Sequence, residues 1–163
     1  MKNYWELLIL FTSNFIIVIF AIFVILLTNL NAYEIIDGDS LKKDNKLYRL
    51  HGIDAPEIDQ TCEQDNMQIN CGYTSKKFLQ ELYDQDGFLC MTRGTDIYER
   101  YIVSCYSYGY KDVGSLMVRE GMAVAYKKYS YKYVEDESYA KENKKGIWNT
   151  KFTLPWVWRE KNR

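Results

Sequence analysis

Between Ile36 and Glu57 the chain reads IDGDSLKKDNKLYRLHGIDAPE, which gathers Asp37, Asp39, Arg49, Asp54 and Glu57 into 22 residues of otherwise strand-like sequence. A second stretch, TDIYERYIVSCY, adds Arg100. Carboxylates from separate turns can converge on a hard cation such as calcium or magnesium, which takes oxygen ligands. A planar guanidinium grips a phosphate through paired hydrogen bonds. When water attacks a phosphodiester, negative charge builds on the phosphoryl oxygens. A cation and two arginines offset that charge, and a carboxylate accepts the proton of the water. On this reading Asp39 and Asp54 are metal ligands, Glu57 is the general base, and Arg49 and Arg100 hold the phosphate. Asp37 is chiefly a former of the Asp-Gly-Asp turn. The chemistry is that of a metal-dependent phosphodiesterase.

Such residues work only if the fold brings them together. Tyr33–Ile36, Ser40–Lys43 and Leu47–Ile53 read as three strands, with Asp44-Asn45-Lys46 as a hairpin turn and Pro56 as a stop. Asp39 then follows the first strand and Asp54 the third, so both emerge at one end of a sheet if those strands are neighbours. Ile58–Cys71 reads as a polar loop. Thr74–Asp84 has helical periodicity, with Thr74 or Ser75 near its start. Phe88–Thr92 and Arg100–Tyr108 read as paired strands. Asp112–Glu120 is a second helix closed by Gly121, Met122–Tyr126 a short extended segment, and Tyr133–Lys145 a third helix. Five strands with helices after the third and at the C-terminal end form an α+β pattern, not a βαβ series. A five-stranded OB-type β-barrel fits that pattern.

The composition agrees with an enzyme more than with a tight nucleic-acid binder. The 163 residues are 47% hydrophobic, which excludes disorder, and include 15 tyrosines. Net charge is −1 and the pI about 5.9, whereas nucleic-acid-binding domains are usually basic.

The motifs IDGDSL, YRLHGIDAPE, TDIYERYIV and LMVREGMAVAY resemble, in this order, those of the staphylococcal nuclease (thermonuclease) family. CGYTSKKFL and the GIW…PWVWR tail look like its exported bacterial members. The resemblance spans about Tyr33 to Trp158. It implies a five-stranded OB-type barrel capped by three helices and a calcium-dependent nuclease that cleaves DNA and RNA to leave 3′-phosphates. It implies that Asp39, Asp54 and the Ala55 carbonyl hold calcium, with magnesium the lesser choice. It also implies that Glu57 is the base, that Arg49 and Arg100 grip the phosphate, and that Tyr98 and Tyr126 line the substrate groove. Three positions depart from the pattern: Ala55 stands where the family often has Thr, Glu99 where it usually has Gly, and Ile97 where a basic residue is common. Ala55 keeps the carbonyl; Glu99 places a carboxylate beside Arg100. The rival reading is an OB-type module that binds nucleic acid or protein without catalysis.

From Leu7 to Leu30 the sequence is almost wholly apolar. Its unbroken core, Phe15–Leu27, suits a signal-peptide h-region, and the whole run is long enough for a membrane anchor. Residues 1–32 are therefore expected to be a signal peptide or an anchor, and residues 33–163 an exported, monomeric domain. The cysteines fit export. Cys62 and Cys71 flank a polar loop, and Cys90 and Cys105 lie on two candidate neighbouring strands, so Cys62–Cys71 and Cys90–Cys105 are the expected disulfides. No C-x-x-C spacing and a single histidine argue against zinc.

Overall fold

Two Asp-Asn pairs set the first ladders of the computed structural model, which describes residues 15–23 and 32–162. Asp44 and Asn45 take positive φ, 51° and 58°, as a two-residue type I′ hairpin turn requires. They join β2 (Ser40–Lys43) to β3 (Lys46–Leu50), and β1 (Glu34–Ile35) pairs with the outer side of β2. Asp65 and Asn66, with φ 52° and 62°, make the same turn between β5 (Thr61–Gln64) and β6 (Met67–Asn70). The segment expected to be a polar loop is thus a hairpin. Its strands are built from Thr, Cys, Ile and polar residues, and only the turn dipeptide betrays it.

The expected strand Leu47–Ile53 is also broken. At Gly52, φ 77°, the chain turns. β4 (Ile53–Asp54) leaves the sheet to pair with β9 (Val124–Ala125), Asp54 facing Val124. β7 (Phe88–Thr95) and β8 (Tyr101–Ser107) form a long hairpin, and β8 runs parallel to β3 with Arg49 opposite Ile102. The main sheet has the order β1-β2-β3-β8-β7. Among the described residues no ladder joins β1 to β7, so the five strands form an open sheet where a closed barrel was expected.

Four α-helices and a 3-10 turn surround the sheets where three helices were expected. α1 (Cys71–Asp86) begins three residues earlier than the sequence suggests, because Asn70 is its cap: the Asn70 side chain accepts the Tyr73 N–H at 2.7 Å. α2 (Val113–Arg119) is capped by Asp112, and α3 (Val134–Glu142) follows. Gly146–Asn149 is a 3-10 turn, and α4 (Pro155–Lys161) starts with proline in its first turn, where the missing N–H costs nothing. Leu41, Leu50, Ile53, Leu79, Val103, Met117 and Val118 are buried to form the core. A second cluster unites Cys62, Cys71, Val124 and Ile147, with Trp148, Phe152, Leu154 and Trp156 packed on it.

The chain divides into two compact units, Met1–Tyr33 and Glu34–Arg163. In the first, residues 15–23 are helical with exposed apolar side chains. No helix among the described residues is long and apolar enough to cross a membrane. The rest of the expected signal or anchor, apart from Ala32, lies outside the described residues.

Both expected disulfides are present, Cys62–Cys71 across a separation of 9 residues and Cys90–Cys105 across 15. The first fastens the β5–β6 hairpin to the start of α1, and the second crosslinks the β7–β8 hairpin at paired positions. Loops of this size restrict the unfolded chain enough to contribute roughly 2–4 kcal/mol each. Thermal melts with and without reductant are expected to show a clear fall in Tm on reduction. An alkylation mass map finding four free thiols in the untreated protein contradicts the pairing.

Candidate active site

The Asp37-Gly38-Asp39 turn is held against the sheet from two sides. Asp37 Oδ1 accepts the Asp39 N–H at 3.0 Å, and Leu50 N donates to the Asp39 carbonyl at 2.8 Å, so the β2–β3 ladder runs on into the turn. Gly38 permits a close approach: a Cβ there would lie 1.9 Å from Ser75 Oγ of α1 and 2.7 Å from Ala55 Cβ. On the other side of Ala55, Asp54 is fixed by the β4–β9 pair, and the Tyr126 N–H donates to the Gly52 carbonyl at 2.9 Å. Gly72 serves Glu57 in the same way, since a Cβ there would strike the Glu57 carbonyl oxygen at 1.7 Å.

Asp39 and Asp54 are buried, at 2% and 0% exposure. Arg49 bridges them: Nη1 donates to Asp39 Oδ1 at 2.7 Å and Nη2 to Asp54 Oδ1 at 2.5 Å. Asp39 Oδ1 also accepts Ser40 Oγ–H at 2.9 Å, and Oδ2 accepts Ala55 N–H at 2.9 Å. A second guanidinium, absent from the sequence-based scheme, completes the group. Arg159 of α4 donates from Nη2 to both Asp54 oxygens, at 3.0 and 2.9 Å, and from Nη1 to Glu57 Oε1 at 2.6 Å. Asp39, Arg49, Asp54, Arg159 and Glu57 thus form one continuous ion-pair chain.

The charges are unbalanced. Three carboxyls, Asp39, Asp54 and Glu57, pair with two guanidiniums, and a fourth, Asp37, stands beside them within the electrostatic reach of Asp39 and Glu57. Burial, then the Asp39 carboxylate, pushes the Asp37 carboxyl up to about 7, and Glu57 adds to the rise. Burial and Asp39 likewise raise Asp54 against the pull of Arg159 and Arg49. Burial disfavours the charged form of Arg49, but Asp39 and Asp54 more than offset it and hold its pKa above the ordinary value. For Arg159 burial again acts downward, and Asp54 and Glu57 outweigh it. A surplus of buried, hard oxygen donors suits a divalent cation. Among the described residues no three His, Cys, Asp or Glu groups converge as a ready cage, and guanidiniums occupy oxygens of Asp39, Asp54 and Glu57.

Arg100 stands apart. The parallel β3–β8 register puts Ile102 opposite Arg49, and strand alternation returns position 100 to the face of 102. Its side chain nevertheless binds Asp96, with Nε to Oδ2 at 2.8 Å and Nη2 to the same oxygen at 2.7 Å. Asp96 organises the whole turn, since its Oδ1 also accepts the Tyr98 and Arg100 N–H groups. Hydrogen bonds from Arg100 hold the Asp96 carboxyl below its usual range despite the opposing effect of burial. The partner expected from adjacency, Glu99, is not the one found. Tyr98 is 62% exposed, with the Arg100 guanidinium 5.5 Å from its ring centre. Tyr126 stacks on Trp156 at 5.5 Å and meets Tyr129 edge-on.

Arg159 and Asp96 are the residues the sequence reading overlooked. Asp96 carries a usable signal, an Asp opening a turn and positioned to accept N–H groups two and four residues on. For Arg159 the only signal is Pro155, which opens a last helix.

Comparison with known proteins converges on one group. A protein-family model described as staphylococcal nuclease homologue matches residues 48–150. A Haemophilus influenzae protein named as an uncharacterized endonuclease is 33% identical over 138 residues, 80% of this chain and 72% of that one. Succinoglycan biosynthesis protein ExoI of Rhizobium meliloti is 30% identical over 124 residues, 71% of this chain and 62% of that one. A probable endonuclease, LCL3, of Arthroderma otae is 27% identical over 136 residues, 70% of this chain and 45% of that one.

Two stability measurements test this geometry. Because Asp37 keeps its proton to about pH 7 in the folded protein and only to about 3.8 when unfolded, the folded state binds more protons between those values. Stability then falls as pH rises through that window. Asp37→Asn keeps the acceptor for Asp39 N–H and removes the charge, so in ion-free protein its stability advantage is expected to grow by about 1–3 kcal/mol between pH 5 and pH 8. Urea denaturation at both pH values measures it; a constant difference contradicts it. Glu99 has φ 61°, which costs an L-residue other than Gly, Asn or Asp conformational energy. Glu99→Gly is expected to stabilise the domain by about 0.5–1 kcal/mol, read as a higher denaturation midpoint.

Proposed function

Because this chain belongs to the staphylococcal nuclease homologue family, we propose that it is a calcium-dependent, sugar-nonspecific nuclease that hydrolyses DNA and RNA and leaves 3′-phosphates. The observation that carries this reading is the buried Asp39–Arg49–Asp54 bridge, to which Arg159 ties Glu57. Its carboxyl surplus matches a divalent cation, and its guanidinium matches a phosphate.

Asp39, Asp54 and the Ala55 carbonyl would hold the ion, which when bound supplies positive charge against a phosphoryl oxygen. The protein's own residues do the rest. Arg49, fixed between two carboxylates, presents a guanidinium that cannot lose its proton and orients a phosphate in one plane. Arg100 leaves Asp96 and approaches the same phosphate from the Arg49 face of the sheet. Glu57, held by α1 at its backbone, takes the proton of the attacking water. Tyr98, exposed beside Arg100, and Tyr126, tied to the Gly52 turn, offer aromatic faces to the flanking nucleotides. The two disulfides support an exported domain working in an oxidising compartment.

The test is digestion of plasmid DNA and RNA by the protein in calcium, in magnesium and in chelator. Cleavage is expected with calcium and not with chelator, and Glu57→Gln is expected to lose about 10²–10⁴-fold in turnover while melting like the parent. Folded protein that cleaves neither substrate under any metal supports the non-catalytic binding module instead, and undiminished turnover in Glu57→Gln removes Glu57 from the base role.

A further inference from the structure

Arg159 has no part in the scheme just given, yet it makes three of the contacts that complete the site. Both oxygens of Asp54 are engaged. Oδ1 accepts from Arg49 and Arg159, and Oδ2 accepts from Arg159 at 2.9 Å. The Asp54 side chain is fully buried, so no third direction is open to solvent. Oδ2 is touched by Arg159 alone, so it is the oxygen a divalent cation would compete for, and like charges at such distances repel strongly in a poorly screened interior.

Of the two guanidiniums, Arg159 is the one able to yield. Arg49 sits in a central strand, paired on both sides, with its side chain 13% exposed. Arg159 is carried by a seven-residue terminal helix and is 22% exposed. Its second contact, Nη1 to Glu57, lies outside the Asp39–Asp54 pair, so it can give up Asp54 and keep Glu57.

We propose that Arg159 is a positioning residue that serves as the exchangeable counter-ion of this site: it neutralises Asp54 in the ion-free protein, is displaced from Asp54 by the divalent cation, and stays paired with Glu57. The inference rests on the calcium reading above. It makes the tail part of the metal site, which the metal-ligand motifs in residues 36–57 do not reveal. Cation binding is then a competition, and its apparent affinity is set partly by how firmly α4 holds Arg159 in place.

Calcium titration of the full domain by isothermal calorimetry, with thermal melts of the ion-free and calcium-saturated forms, decides it. Arg159→Gln is expected to bind calcium about tenfold tighter than the parent, a typical size for coupling between two ligands of one site. It is also expected to melt lower than the parent without calcium and to recover most of that loss with calcium. A residue that merely fastens the tail would lower both melts equally and leave the affinity unchanged; that result overturns the inference while the calcium reading stands. If neither protein binds calcium at millimolar concentration, both fall together. If Arg159→Gln does not fold, Arg159→Lys decides, since one ammonium cannot span Asp54 and Glu57 as the fork does. Its calcium affinity is expected to exceed the parent's by a smaller factor, and equality overturns the inference.

Discussion

A fully buried carboxylate, Asp54, is the constraint to which the rest of the domain answers. A buried ion without partners is costly enough that losing one partner typically removes about 3–5 kcal/mol, a large share of the net stability of a small domain. Two arginines from different parts of the chain meet that need. Arg49 arrives through the β2–β3 hairpin and Arg159 through a tail that folds back across the second hydrophobic cluster. The break at Gly52 follows from the same demand. Had β3 continued to Ile53, Asp54 would lie at the end of the main sheet; the turn instead moves it to β9, between the two guanidiniums.

Close backbone packing makes the arrangement rigid. Gly38 lets the acidic turn press on Ala55 and Ser75, and Gly72 lets α1 press on Glu57. The Cys62–Cys71 bond lies next to Gly72, so the fastening of α1 and the placement of Glu57 share one structural origin. The β7–β8 tip obeys different rules. It is exposed, and a single aspartate organises it and binds Arg100.

The sequence made legible what depends on short-range pattern. The Asp44-Asn45 turn, the two disulfides, the helical periodicity after Cys71 and the joining of Asp39, Arg49 and Asp54 all rest on neighbouring residues or on ordered motifs. What it hid depends on distance or on weak pattern. The 61–70 hairpin has polar strands, so alternation of hydrophobicity had nothing to register, although its Asp65-Asn66 turn repeats the one at Asp44-Asn45. The Asn70 cap was masked by two hydroxyl residues, Thr74 and Ser75, that compete for the same role on paper. Pro155 marks the helix but not Arg159 itself, because an arginine between tryptophan and glutamate on a short helix looks like an ordinary surface residue; only the three-dimensional return of the tail gives it meaning.

Asp54 and Arg159 are separated by 105 residues. A ribosome therefore makes the carboxylate turns, all three hairpins and the segments of α1 to α3 well before it makes the residue that balances them. Without α4, Asp54 would have one guanidinium where the fold gives it two, and Glu57 would lack its guanidinium partner. The electrostatics of the site thus register by charge, rather than by shape, whether the helix that carries Arg159 is in place.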